Sequence, residues 1–483
     1  MQTRTPHFLS LCPCAISRRK FLATAGASAM ALKIGVLDFA SSLFAEDAKP
    51  TKGPTVRAAF MHPRVEKYWM GWPGASYDIA GHQKQYTETL TKAAEKLGVT
   101  LEVIQDPIAS PQDADAFLEK LKASPVDGVL LTCMDLNSGW NQIDAFVAKR
   151  GTIPTVIFSP MGTSFTGHLG RSSRAPGVFL GATQDVDWLT TGLRLFKANW
   201  QMRNTRFLVM AGDKAEDRTL EIVGTTLHYL PRSRFPEELK KVEMGDEVKA
   251  IADYFTKEAK NIVEPSKNDV LNAAKNLVAS RRLMAAENCQ AITMDCLGLV
   301  GSRQIPCPPC MAWLALLDEG KVGCCEADIS AGLSQMLSSY LCERPGFMQD
   351  PAPNTVNGTL MGAHCSSPTR LRGFDQPAVP LVLRSHSESE IGVAPQVIWP
   401  LGEPVTVMKF EGPGKIILGT GQVVANINTP PCGGCRTSVE LKMDGVADPR
   451  DCKGFHQLFI LGKLDRQFKA YCQLAGIAVV PIG

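Results

Sequence analysis

Aromatic residues make up only 7% of the 483-residue chain and charged residues only 20%, with a formal net charge of +3. That charge is unevenly placed. The first 45 residues carry Arg4, Arg18, Arg19, Lys20 and Lys33 against Asp38, a balance of +4, so the remainder sums to −1. No basic field is left to attract nucleic acid or anionic lipid. No run of roughly 18 apolar residues occurs, so no bilayer-spanning helix is read. Neither G-x-G-x-x-G nor G-x-x-x-x-G-K-S/T follows the first strand, which removes motif support for a nucleotide. Internal repeats and low-complexity tracts are lacking too. Hydrophobic residues nevertheless reach 45%, an ordinary globular composition that excludes a disordered chain. At roughly 100–200 residues per domain, the length predicts two to four domains.

What the N-terminus does have is Ser17-Arg18-Arg19-Lys20-Phe21-Leu22, a twin-arginine pattern, followed by an Ala-rich apolar run to Leu32. Lys33 and Asp38 interrupt that run too early for a membrane span. Residues 1–45 therefore read as an export signal, with processing after Ala45. The expectation is a mature protein free of the membrane and outside the cytoplasm, periplasmic or extracellular. The twin-arginine route carries folded chains, which suits a protein that acquires a metal before crossing.

Cysteine is plentiful. Of 15 cysteines, Cys12 and Cys14 leave with the signal and thirteen remain. Two C-x-x-C pairs occur, Cys307-Pro-Pro-Cys310 and Cys432-Gly-Gly-Cys435, separated by 121 residues. Buried thiols or structural disulfides are favoured over a joint four-cysteine zinc site or a redox pair.

The pattern along the chain is α/β: two doubly wound parallel-sheet domains followed by a mostly antiparallel β domain. Residues 55–175 alternate strand and helix: Val56–Phe60, Tyr86–Leu97, Val99–Gln105, Ala114–Lys122, Gly128–Cys133, Trp140–Ala148, Pro154–Phe158. A second series, 176–365, places the strands Gly177–Leu180 and Arg206–Met210 around the helix Asp185–Trp200. Helical spacing recurs at Glu247–Glu258, Lys267–Ala286, Met311–Leu317 and Leu333–Leu341, with a strand at Cys289–Met294. Residues 366–483 change to short β runs divided by Gly and Pro, predicting an antiparallel sheet or small barrel with a closing helix, Leu464–Leu474.

Four places can carry chemistry. They are Cys325-Glu326-Ala327-Asp328 ahead of a helix, the loop Phe347-Met348-Gln349-Asp350-Pro351, Met361-Gly362-Ala363-His364-Cys365 at a strand end, and Gly454-Phe455-His456-Gln457. Carboxylates and imidazoles form an oxygen and nitrogen ligand set suited to Mn²⁺ or another divalent ion. Plainer roles compete: Glu326 or Asp328 as helix cap, Asp350 as turn residue before Pro351, each histidine as a hydrogen-bonded structural group.

The stretch Gly323–Cys365, together with Gly454–Val480, resembles the L-fucose isomerase and L-arabinose isomerase superfamily. The family order is an acid before a helix, a second acid one helix and turn later, a strand ending in a histidine segment, and a late histidine. Here these are Glu326, Asp350, His364 and His456, and Gly434-Cys435-Arg436-Thr437 also fits the family's C-terminal β domain. The resemblance implies a metal-dependent aldose–ketose isomerase with Glu326, Asp350 and His456 as Mn²⁺ ligands. It implies His364 as a fourth ligand or substrate contact, and Glu326 and Asp350 as the acid/base pair. A small sugar would be the substrate, and the protein a homo-oligomer, with His62 or His82 completing a neighbour's pocket. Smaller expectations are Asp328 orienting a ligand, and Tyr68, Trp69 and Trp72 stacking on a sugar. The run His386-Ser387-Glu388 is placed at the surface. Two other functions compete, an exported carbohydrate hydrolase using the same carboxylates and a non-catalytic sugar-binding protein.

Overall fold

The computed structural model describes residues 53–70, 75–136, 138–169, 172–428 and 435–483. The signal segment 1–45, Trp72 and Cys432 lie outside the described residues.

Seven strands open the chain: β1 (Thr55–Met61), β2 (Lys67–Met70), β3 (Ala75–Asp78), β4 (Thr100–Ile104), β5 (Gly128–Cys133), β6 (Thr155–Pro160) and β7 (Val178–Thr183). Side chains alternate along β1: Val56, Ala58 and Phe60 enter one apolar cluster, Ala59 and Met61 another. That alternation demands cover on both faces. The helices Ile79–Leu97 and Trp188–Asn204 cover one face through Leu90, Leu193 and Phe196. Pro111–Ala123 and Ser138–Lys149 cover the other through Phe117, Ile143 and Phe146. The sheet runs β4-β1-β5-β6-β7, all parallel, and β2 pairs antiparallel with β3 apart from it.

The second series supplies β8 (Arg206–Met210), β9 (Glu216–Thr219), β10 (Thr226–Leu230), β11 (Asn261–Ile262), β12 (Ala291–Met294) and β13 (Val322–Cys324). Its sheet runs β13-β12-β8-β10-β9, parallel except for the edge strand β9. The helix Lys267–Ala286 begins with a capping box between Ser266 and Asp269.

The remaining strands are β14 (Phe347–Asn354), β15 (Thr359–His364), β16 (Leu381–Arg384), β17 (Ala394–Val397), β18 (Pro404–Phe410), β19 (Lys415–Asn426), β20 (Thr437–Met443), β21 (Gln457–Leu461) and β22 (Ala478–Pro481). The order β18-β21-β14-β15-β20-β19 closes on itself through β18–β19 pairing, making an antiparallel barrel, and β22 adds in parallel to β19. The strands β11, β16 and β17 form a small separate sheet.

Several sequence readings move. The run Gly177–Leu180 becomes β7 and completes the first sheet instead of opening the second. Residues 347–364 become barrel strands, so sheet membership changes ahead of 365. Asp350 lies inside β14, not in a loop. Lys415–Leu418 and Val423–Ile427 join into the long strand β19, with a bulge between Val423 and Ala425. His386 is only 4% exposed, not at the surface, because the β16 end tucks it inward.

Candidate functional site

Glu326 follows β13, at the carboxyl end of a parallel strand, where α/β sheets leave room for a site. The next carboxylate, Asp328, is the N-cap of the helix Ile329–Cys342 and accepts the Ala331 N–H at 2.8 Å. The capping role thus belongs to Asp328 and leaves Glu326 free of it. Between strand and helix the chain turns through left-handed backbone, with φ of 62° at Glu326 and 54° at Ala327. His456, just before β21, is also left-handed at 53°. Such conformations cost non-glycine residues about 1–2 kcal/mol each, and they cluster where side chains must be aimed.

The barrel brings the remaining groups to this point. β14 pairs with β15 in the register Asp350↔Ala363, and with β21 in the register Gln349↔Gln457. Asp350 and His364 are therefore neighbours on adjacent strands, and His456 stands at the start of the next one. His456 Nε2 lies 3.1 Å from Asp350 Oδ1 and 3.5 Å from Glu326 Oε2. His364 Nε2 lies 3.3 Å from Glu326 Oε1. Ligand atoms of Glu326, His364 and His456 all lie within 4.8 Å of one another; Asp350 stands outside that group and contacts it at His456 alone.

The protonation of His456 follows from its partners. Its Nδ1 lies 2.8 Å from Asp328 Oδ2, and an ionised carboxylate only accepts, so Nδ1 carries the hydrogen. In the neutral ring Nε2 then directs a lone pair at two carboxylates. Something cationic belongs there, a proton or a metal ion. Although 3.1 Å apart, His456 Nε2 and Asp350 Oδ1 are not aligned for a hydrogen bond, and both are buried without a hydrogen-bond partner. A proton on Nε2, which Asp328 and Asp350 favour, fits there when no ion is present. A shared ion fits as well, since imidazole with carboxylate oxygens suits Mn²⁺. The carboxylate behind a metal-facing imidazole is also the arrangement that fixes the ring and raises its basicity.

Without an ion, burial works to lower the His456 pKa, but Asp328 and Asp350 outweigh it and push it up to about 9. Burial also works to raise the Asp328 carboxyl, yet the His456 ring, the Ala331 N–H and Lys409 hold it below its ordinary value. Exposure divides the site. His364 and His456 side chains are 2% and 7% exposed, while Glu326 and Asp350 are 27% and 39% exposed. Imidazoles form the floor and carboxylates the open face.

Sequence reasoning misses two contributors. Lys409 on β18 lies 3.8 Å from Asp328 Oδ2 and donates to the Phe455 carbonyl, with nothing in its local pattern to mark it. The Phe455 ring stands 4.4 Å from the His456 ring and is 60% exposed, a surface aromatic beside a site. The smaller expectations fare differently. Asp328 does hold His456. Tyr68 packs on Tyr77 at 5.6 Å and donates to the Met134 carbonyl, while Trp69 is exposed, so these two rings form no joint stacking surface. His62 bonds to Gln83 and Pro63, and His82 to the Asp78 carbonyl. The cysteine pair Cys307 and Cys310 is buried, as the packing reading expects.

No helix of the described residues is long and apolar enough to cross a membrane. No protein-family model and no curated protein matches the chain. Among solved structures, a carbohydrate transporter from Acidothermus cellulolyticus, in complex with myo-inositol, aligns over 52% of this chain and 79% of its own, at 15% identity and a TM-score of 0.18. An arabinose-binding protein from Geobacillus stearothermophilus aligns over 52% of this chain and 80% of its own, at 12% identity and a TM-score of 0.17. At such TM-scores neither likeness bears on what this chain does.

Proposed function

We propose that the chain is a divalent-metal-dependent aldose–ketose isomerase, akin to the L-fucose and L-arabinose isomerases, acting on a small sugar. The observation that carries this reading is the His456 ring, tied by Nδ1 to Asp328 and facing both Glu326 and Asp350 with Nε2. Glu326, Asp350 and His456 would hold the ion, with His364 beside Glu326 as a fourth group. When bound, Mn²⁺ or a similar ion would supply Lewis-acid stabilisation of negative charge on two adjacent sugar oxygens.

The protein's own groups handle the protons. Isomerisation takes a proton from C2 of the open-chain aldose, passes through an enediol, and delivers a proton to C1. A second proton moves between the two oxygens. Glu326 and Asp350 are the partly exposed carboxylates that a substrate can reach, and they serve as the acid/base pair. Asp328 and Lys409 lie behind them and keep the His456 ring in place. A glycosidase would need its scissile bond between the two carboxylates. Here an imidazole nitrogen lies between them, which favours the isomerase over the hydrolase.

The experiment is a panel of aldopentoses, aldohexoses and deoxyaldohexoses incubated with Mn²⁺-loaded protein in D₂O and followed by NMR. Ketose formation with solvent deuterium on carbon is expected for at least one sugar, and none with Glu326→Gln of unchanged circular dichroism. Turnover that survives in Glu326→Gln would remove the acid/base assignment.

A further inference from the structure

A second group of ligand-type side chains lies beside this site and touches it where Cys365 Sγ stands 3.5 Å from His364 Nδ1. Cys310, Cys365 and His386 are all buried, and one ligand atom from each lies within 4.8 Å of the others. They come from separate places in the fold. Cys310 opens the helix Cys310–Asp318, Cys365 follows β15, and His386 lies just past β16. Cys325, after β13, is the adjacent thiol, with its Sγ 3.8 Å from Cys365 Sγ. That spacing is far beyond a disulfide, at about 2.05 Å, and the two thiols share a hydrogen bond.

We propose that Cys310, Cys365 and His386 bind a zinc ion at a site distinct from the Glu326 centre. The chemistry selects the ion. Two thiolates and an imidazole are soft and borderline donors that suit zinc and reject Mn²⁺. Two thiolates also neutralise a divalent charge, so the filled site is uncharged, as a buried site should be. The His386 ring is held in place at one nitrogen: its Nδ1 accepts the Ser389 backbone N–H at 3.3 Å and lies 2.9 Å from Ser389 Oγ. His364 and Cys365 join the two groups: His364 Nε2 faces Glu326, and its Nδ1 lies 3.5 Å from the Cys365 Sγ that neighbours Cys310 and His386. The zinc would tie the ends of β15 and β16 to the helix Cys310–Asp318 and so fix the strand end that carries His364.

The test is metal analysis of the full chain after chelation, followed by dialysis against Zn²⁺ and Mn²⁺ together. Wild type, Glu326→Gln and Cys325→Ala are each expected to retain about one zinc per chain. Cys310→Ala and His386→Gln are expected to lose it. Should those variants fold poorly, Co²⁺ titration of the wild type decides instead. A thiolate-to-cobalt charge-transfer band in the near ultraviolet is expected, and its absence overturns the proposal. Zinc retained in both Cys310→Ala and His386→Gln, or lost in Glu326→Gln, also overturns it, the latter by placing the zinc in the carboxylate centre.

Discussion

Asp328 has two partners that chemistry can separate. It caps the helix Ile329–Cys342 through the Ala331 N–H, and it holds His456 Nδ1. Asparagine caps a helix about as well as aspartate but carries no charge. Asp328→Asn should therefore leave thermal stability nearly unchanged while weakening divalent-ion affinity about 10–100-fold, the usual effect of losing a carboxylate behind a ligating imidazole. Mn²⁺ titration of the metal-free variant checks this, and an unchanged affinity would detach Asp328 from the site. Glu326, Asp350, His364 and His456 are legible in the sequence as carboxylates and imidazoles in short polar stretches between apolar runs, and the fold brings them together. His386 is not legible in this way. Its neighbours Ser387 and Glu388 read with it as surface, yet Ser387 is buried beside it. Cys310, Cys325 and Cys365 are unreadable as a group because only closure of the fold brings three distant segments together.

β14 shows why an element can be hidden. Asp350-Pro351 and Pro353 signal a turn, yet all three lie in a strand. The prolines are tolerated because β14 pairs with β21 only over Phe347–Gln349, and from Asp350 to Asn354 it has β15 as its one ladder partner. A proline there gives up an N–H with no strand to meet. Across the ladder from Pro351, Gly362 is fixed by crowding: a Cβ would meet Phe459 Cε2 at 2.4 Å and Gln349 Cδ at 2.7 Å. Gly362→Val should cost about 1–3 kcal/mol and displace the strand end that carries His364, so denaturant midpoint and Mn²⁺ affinity should fall together. A midpoint equal to wild type would show that the barrel has room at this position.

The helix Pro111–Ala123 gives a pH-dependent case. Ser110 caps it, and the Asp113 carboxylate accepts from Ser110 Oγ, the Ala109 N–H and Arg64. Arg64 above all holds the Asp113 pKa down to about 2. A depressed folded pKa stabilises above the unfolded value, about 3.9, and that stabilisation is lost as pH falls through the folded value. Asp113→Ala should be less stable than wild type at neutral pH, with the gap closing between about pH 4 and 2. The contribution is modest because the side chain is partly exposed. Melting curves at stepped pH check it, and a gap that stays constant in acid would contradict it.

Both α/β sheets and the barrel share one continuous apolar core, while a smaller cluster fills the far face of the first sheet. Trp313 on the helix after β12 and Trp399 after β17 are both fully enclosed in that shared core. The second sheet and the barrel should therefore unfold together, with tryptophan fluorescence and far-ultraviolet circular dichroism giving coincident denaturant transitions. Separated transitions would mean that the core divides. The gross plan, parallel sheets and then antiparallel strands, is legible from the alternation of helix and strand. Which sheet each strand joins is not, since pairing depends on partners far away in sequence: β7 returns to the first sheet and β14 and β15 enter the barrel.

The central claim is that Glu326, Asp350 and His456 share a divalent ion. The most direct measurement is manganese content of the purified protein after Mn²⁺ loading, wild type beside Glu326→Gln and His456→Ala. About one manganese per chain in wild type and loss in both variants is the predicted result. A wild type that stays empty of manganese and of other hard divalent ions after loading would contradict the account and remove the isomerase mechanism with it.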